Sequence, residues 1–291
     1  MSIAYLRGLL DTNTWAPKDT TSLFIISGVV TTTTNVTSGT TSSYYIQDET
    51  AGINLFINGD KTFRPVRGDL VTATGPLLLY NNNLELSITA GAPAQSYAIV
   101  SHNNPVPAPY VFSPSLTNNA SLMETNLENR YVMLTNVYFP LPGTAFGGNQ
   151  SVVVTNQNGI PFTVYISAQC TEVVGQTMPA FAWSVLGPLV QFKSGAYSAA
   201  GYEVYLTSME DLVSSAPPPV TLGFTRSGES LTLDWTAIPY RYSYSVEAAE
   251  SVAGPYAPVA SGLTFTNALG TCTVPVLNGN GSQTFYRVIS P

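Results

Sequence analysis

The residues with which this 291-residue chain would do chemistry are few: one histidine, His102, two cysteines, Cys170 and Cys272, and a group of carboxylates at Asp48, Glu49, Asp60 and Asp69. A nucleophilic triad needs a histidine oriented by an acid and placed beside an activated serine or cysteine. Here the sole histidine lies in a polar stretch without an acid near it in sequence, and no G-x-S-x-G elbow is present. One histidine and two isolated cysteines do not make a four-ligand zinc site. The carboxylates are close enough in sequence to raise paired-carboxylate glycoside chemistry. Asp48 and Asp69, however, sit in Gly-punctuated turns, where aspartate accepts backbone N–H groups, and no D-x-D-x-D-G calcium loop surrounds them. The chain is therefore expected to carry no catalytic residues, metal or cofactor, and to be no enzyme.

Composition narrows the partners. Charged residues make up 9% of the chain, against the usual quarter, and lysine occurs only at Lys18, Lys61 and Lys193. Thr, Ser and Asn replace the usual charged surface, which points to a secreted or cell-surface protein. The opening MSIAYLRGLL is too short for a signal peptide, so the export signal is expected to be missing from these residues. A net charge of −7 disfavours nucleic acid, because affinity for a polyanion rests mainly on Lys and Arg. No apolar run reaches the length of a membrane span. The cysteines fall in different predicted domains and read as two buried thiols.

The elements that must position these residues are strands. Ile3, Leu6, Leu9 and Leu10 share one face of a short N-terminal helix. LFIISGVVTTTTNVT then favours strand, and in YYIQDETAGINLFI the residues Ile53, Leu55 and Ile57 alternate with Asn54 and Phe56. Leu84, Leu86 and Ile88 alternate likewise with Glu85 and Ser87. After the proline-rich NNPVPAPYVFSP the order repeats: a short helix within Ser121 to Glu128, then YVMLTNVYF, then SVVVTNQNGIPFTVYI. VTATGPLLLY is matched by WSVLGPLVQF 112 positions later, and a Gly-Pro inside a strand marks a bend or bulge. The expected fold is all-β: two tandem barrels over 1–102 and 103–213, a proline-rich linker over 214–219, and a sandwich over 220–291. In that last part LTLDW places Leu231, Leu233 and Trp235 on one face, and YSYSVEA places Tyr242, Tyr244 and Val246 on another.

These residues carry two resemblances. YIQDETAGINLFI with GDLVTATGPLLLYNNNLELS resembles the OB-fold modules of bacterial exported proteins, often found beside nuclease domains, through Gln47, Asp48, Gly52, Gly68, Asp69, Gly75, Tyr80 and Leu84. Residues 113–213 look like a more divergent copy, with Asn156 and Gly159 standing where the first has Asp48 and Gly52. The C-terminal stretch, with Trp235 and Gly254-Pro255-Tyr256, resembles the fibronectin type III-like modules of exported proteins of Verrucomicrobia and related bacteria.

The first resemblance implies ligand binding across the middle strands, with aromatics stacking sugars or bases. Its candidates are Tyr44, Phe56 and Tyr80, with Asn81, Asn82 and Asn83 as hydrogen-bonding loop residues. The alternative is that the tyrosines only cover the barrel and the asparagines form a turn. The second resemblance implies an assembly edge. A fibronectin-type sandwich has a further strand after TFYRVIS, so Phe285, Tyr286, Arg287, Val288 and Ile289 would present an edge open to strand addition, the alternative being that this short module closes with its own first strand or ends in a proline-blunted edge. The functional expectation is a secreted structural or adhesive protein assembling head to tail with copies of itself. The alternative is an extracellular glycan-binding module, with single-stranded nucleic-acid binding by the barrels a third reading that the acidic charge disfavours.

Overall fold

The computed structural model describes all residues except 120–121, 198–199, 215–221, 238–243, 266–268, 277–283 and 290–291. The expected linker and Tyr242 therefore lie wholly or largely outside the described residues. The chain is all-β and divides into two compact units, Met1–Leu212 and Val213–Pro291.

The first unit holds two OB-like barrels. In the first, strands β1 (Phe24–Val30), β2 (Ser42–Gln47) and β3 (Gly52–Asn58) form a meander. They are followed by β4 (Leu70–Gly75), β5 (Leu77–Tyr80), β6 (Asn83–Thr89) and β7 (Ser96–Ser101). The sheet runs β5-β6-β3-β2-β1-β4-β7. It closes because β4 and β5 are two halves of one bent strand: β4 pairs with β1, and β5 with β6. Gly75-Pro76 is the bend, and a Cβ at Gly75 would lie 2.7 Å from Ile88 Cγ1, so a larger residue there would have to displace that side chain. β3 and β6 run parallel. The inward positions of β2, β3 and β6, including Ile46, Ile53, Leu55, Leu84 and Leu86, form the core. A five-residue helix, α1 (Ile3–Arg7), is shorter than the apolar run suggests. It buries Ile3 and Leu6 against this barrel, and Asp48 Oδ2 accepts the Ile3 N–H at 2.7 Å.

The second barrel repeats the plan. β8 (Tyr110–Val111) lies beside β9 (Tyr131–Tyr138), followed by β10 (Gln150–Thr155), β11 (Pro161–Ile166), β12 (Phe181–Gln191), β13 (Tyr202–Tyr205) and the short β14 (Leu212–Val213). β12 pairs with β9 along its first part and with β13 after Gly187-Pro188, closing this barrel as β4 and β5 close the first. β11 and β13 are parallel, as β3 and β6 are. A Cβ at Gly187 would come within 2.0 Å of the Tyr205 carbonyl oxygen.

The barrels are locked together by buried polar contacts. Arg7 donates to the Gly52 carbonyl at 2.9 Å and pairs with Glu128 at 3.2 Å, both side chains being 1% exposed or less. Glu128 Oε1 also accepts the Leu84 N–H. The Tyr131 N–H donates to Gln47 Oε1. Arg67 pairs with Asp211, whose Oδ1 also accepts the Tyr131 hydroxyl.

The second unit is a two-sheet sandwich. β15 (Leu222–Ser227), β16 (Ser230–Thr236) and β19 (Leu269–Pro275) form one sheet, and β18 (Ala257–Leu263), β17 (Tyr244–Ala249) and β20 (Phe285–Ile289) the other. Trp235, 2% exposed, packs with Tyr244 and Phe265 between them. A Cβ at Gly270 would lie 2.4 Å from its ring. β20 pairs with β17 and, among the described residues, with no strand on its other side. Both cysteines are free: Cys170 is buried, and Cys272 on β19 is partly buried.

Candidate functional site

The site grows from one row of side chains on the outer face of the first barrel. Pairing register sets Tyr45 of β2 beside Asn54 of β3, Asn54 beside Glu85 of β6, and Glu85 beside Leu78 of β5. Phe56 stands one step along β3, and Asn83 pairs with Tyr80 at the turn of the β5–β6 hairpin. Such outward positions ordinarily face water. Here the second barrel overlies them, so Tyr45, Asn54, Asn83 and Glu85 are each 6% exposed or less.

A cavity of about 450 Å³ opens where the barrels meet, within the size range of small-ligand sites. Its floor is a tyrosine stack: Tyr45 meets Tyr205 edge to face at 5.7 Å, and Tyr205 meets Tyr165 at 4.7 Å. Tyr80 and Phe192, each more than half exposed, stand at its rim. The β1–β2 loop forms one wall, held in shape by Asn35, whose Nδ2 donates to the carbonyls of Thr37 and Thr41. Among the described residues the lining contains no lysine or arginine.

Burial dominates the electrostatics. Glu85 is pushed up to about 8 by desolvation, with no cation beside it to offset the penalty. Glu203 on β13, beside the floor tyrosines, is pushed up to about 7, also mainly by burial. Tyr45 and Tyr205 are raised well above the usual phenol range, both first by burial; Tyr205 and the nearby carboxylates then raise Tyr45, and Glu203 and Tyr165 raise Tyr205. Glu85 is therefore largely a neutral carboxylic acid at pH 7. The site can stack a ring and hydrogen-bond it through uncharged oxygens, and it has no group to offset a phosphate.

Of the residues singled out from the sequence, Phe56, Tyr80 and Asn83 line this cavity. Tyr44 does not: it is 1% exposed inside the first barrel, edge to face with Phe63 at 6.3 Å. The tyrosine that reaches the cavity is its neighbour Tyr45. Parity carries the signal, since Ile46 must face the core of a strand with one apolar face and Tyr45 must then face out. Asn81 and Asn82 have positive φ and form the two-residue hairpin turn between β5 and β6. They also hold the second barrel: the Asn81 carbonyl accepts the Lys193 N–H at 2.8 Å, and Asn82 Nδ2 donates to the Lys193 carbonyl. Glu85, Tyr165, Gln191, Phe192 and Tyr205 were not singled out, because their neighbourhood arises only from the contact between barrels.

Phe285 to Ile289 are β20, with Arg287 paired to Glu247. Asp48, Asp60 and Asp69 are all engaged as turn formers, accepting from Thr50, Thr62 and Val66 respectively. Asp69 does more. Although 33 residues distant, its Oδ1 lies 2.7 Å from His102 Nδ1. That is the geometry in which a carboxylate orients an imidazole, made where β4 and β7 pair and invisible to a search for neighbours in sequence. It stands on an open surface, the histidine side chain being 66% exposed. Among the described residues no group of three metal-ligating side chains occurs, and no helix is long and apolar enough to cross a membrane.

No family model matches the chain. It is similar to "Endonuclease YhcR" of Bacillus subtilis (strain 168), 27% identical over 170 residues, which is 58% of this chain and 14% of that protein. The chain thus spans about a seventh of the length of this relative. The similarity overturns the expectation that the chain is no enzyme. That expectation rested on a lack of catalytic motifs in local sequence. What the comparison establishes is likeness to part of an endonuclease.

Proposed function

We propose that the two-barrel unit is the ligand-holding part of an exported protein with nuclease kinship, and that the cavity between its barrels takes a saccharide ring from an extracellular glycan. The observation that carries this reading is the lining of that cavity. Tyrosine faces and uncharged oxygens suit a ring bearing hydroxyls, while buried carboxyls without a lysine or arginine suit a phosphate poorly. The sparse charge of the chain supports export.

A second reading, an unpaired base of single-stranded nucleic acid stacked on the same tyrosines, is supported by the endonuclease similarity. One experiment separates them: retention of the whole chain on a panel of immobilised polysaccharides, beside titration with single-stranded DNA and RNA at about 50 and about 200 mM salt. Glycan retention that Tyr80→Ala and Phe192→Ala each weaken is expected. Salt-sensitive strand binding with no retained glycan would replace the first reading by the second. Head-to-tail assembly through β20 stays a separate proposal, supported by its one free side among the described residues. Sedimentation at rising concentration tests it, and a strict monomer would remove it.

A further inference from the structure

We propose that the ring bound between the barrels carries a protonated primary amine, so that the ligand class is an amino sugar with its amine free rather than acetylated. The inference rests on the glycan reading of this cavity and names the chemistry within it. Two polar side chains on the same face of β6 line the cavity: Glu85, 6% exposed, whose carboxyl no described residue hydrogen-bonds, and Asn83, whose Oδ1 is buried without a hydrogen-bond partner among the described residues. A buried acceptor without a donor costs free energy, and a ligand that brings donors removes that cost.

An ammonium is the donor that fits best. It offers three N–H groups, it offsets an ionised carboxylate, and it is attracted to aromatic faces. Tyr45, Tyr165 and Tyr205 form the floor, and Phe56, Tyr80 and Phe192 complete the walls. Among the described residues the protein supplies no cation of its own to this lining. A neutral sugar would stack equally well but would leave the carboxyl uncharged and half used.

Binding then has a proton signature. At pH 6.5 the Glu85 carboxyl holds its proton, and an arriving ammonium favours the carboxylate, so a proton leaves to the buffer as the complex forms. The titratable groups that line the cavity with Glu85 are Tyr45 from β2, Tyr80 from β5, Tyr165 from β11 and Tyr205 from β13, and Glu203 of β13 lies close to Tyr45 and Tyr205. Glu128, beyond them, is paired with Arg7. Tyr45, Tyr165 and Tyr205, all raised by burial, hold their protons throughout this range. Glu203, held at about 7, is the other group able to release a proton, and its Gln variant separates the two.

The test is calorimetric titration of the full chain with β-linked oligomers of glucosamine, of N-acetylglucosamine and of glucose, in two buffers of different ionisation enthalpy. The glucosamine oligomer is expected to bind at least about tenfold tighter than the other two, with net proton release. Glu85→Gln is expected to bring its affinity down to theirs, while Glu203→Gln keeps the preference. Equal binding of all three oligomers with no proton release would overturn the inference and leave the glycan reading standing. No binding of any oligomer would overturn both. Unfolding of Glu85→Gln is controlled by its melting temperature, which is expected to rise.

Discussion

Replacing Glu85 by glutamine removes a group that the fold holds against its ionisation, and the consequence is a stability difference that grows with pH. The carboxyl is raised by burial from 4.5 to about 8. Below pH 4.5 the folded and unfolded chains both keep the proton, so wild type and variant are close in stability. Between 4.5 and 8 the unfolded chain gives up a proton that the folded chain retains, and wild-type stability falls as pH rises. Above about 8 the loss is complete. At about 1.4 kcal/mol for each pH unit, the full span corresponds to about 5 kcal/mol. Water entering the open cavity relaxes the penalty, and about 2 kcal/mol is the working expectation at pH 8. For a unit of this size that is a gain of about 4–8 °C in melting temperature for Glu85→Gln. Scanning calorimetry of both proteins from pH 4.5 to 8.5, following the transition of the two-barrel unit, measures it. The titration of other carboxylates cancels in the difference. Two melting curves that stay parallel over the whole range would refute the claim that Glu85 is desolvated and unpaired. A gain at high pH accompanied by loss of ligand binding would show a carboxylate retained at the expense of stability.

The other predictions concern the frame around the cavity. Arg7→Met leaves Glu128 buried without its counter-charge and is expected to cost about 3–5 kcal/mol; an unchanged melting temperature would show that the pair does not hold the barrels together. Gly187→Ala drives a Cβ to 2.0 Å from a backbone carbonyl, whereas Gly75→Ala meets the movable Ile88 side chain at 2.7 Å. The first should be much the more destabilising, by about 3 kcal/mol or more against about 1–3 for the second, as read by chemical denaturation; the reverse order would refute the assignment of the bends. Tyr44→Ala is expected to empty a core site at about 3–5 kcal/mol, while Tyr80→Ala leaves the melting temperature nearly unchanged and weakens ligand binding.

The frame was largely legible in the sequence because it is written in local rules. Gly75-Pro76 and Gly187-Pro188 mark bends since nothing with a Cβ passes there without displacement, and the alternation around Ile53 and Leu84 fixes which faces turn inward. The site was only half legible. Asn54, Asn83 and Glu85 occupy outward positions, and an outward polar residue on a strand reads as solvated surface unless a second body is known to cover it. The pattern SSYYIQ offers two adjacent tyrosines, and only the parity of Ile46 says which one is interior. Asp69 and His102 meet through paired strands that no motif describes.

The duplication gives this gap a sharper form. Leu77 follows Gly75-Pro76 and pairs with Leu86, and Leu189 follows Gly187-Pro188 and pairs with Val204. Glu85 and Glu203, each one residue before those partners, are therefore equivalent positions of the two barrels, and each also faces its parallel neighbour, Asn54 or Thr163. Aligned only on turn formers and apolar positions, the copies share a fold and nothing more. Aligned by strand register, they also share an outward carboxyl that burial raises in both. In a single barrel exposed to water, neither carboxyl would be perturbed and neither would suggest a site. Packing the barrels against each other brings both carboxyls toward one set of tyrosines, so the chemistry of the cavity is a property of the pair and not of either copy.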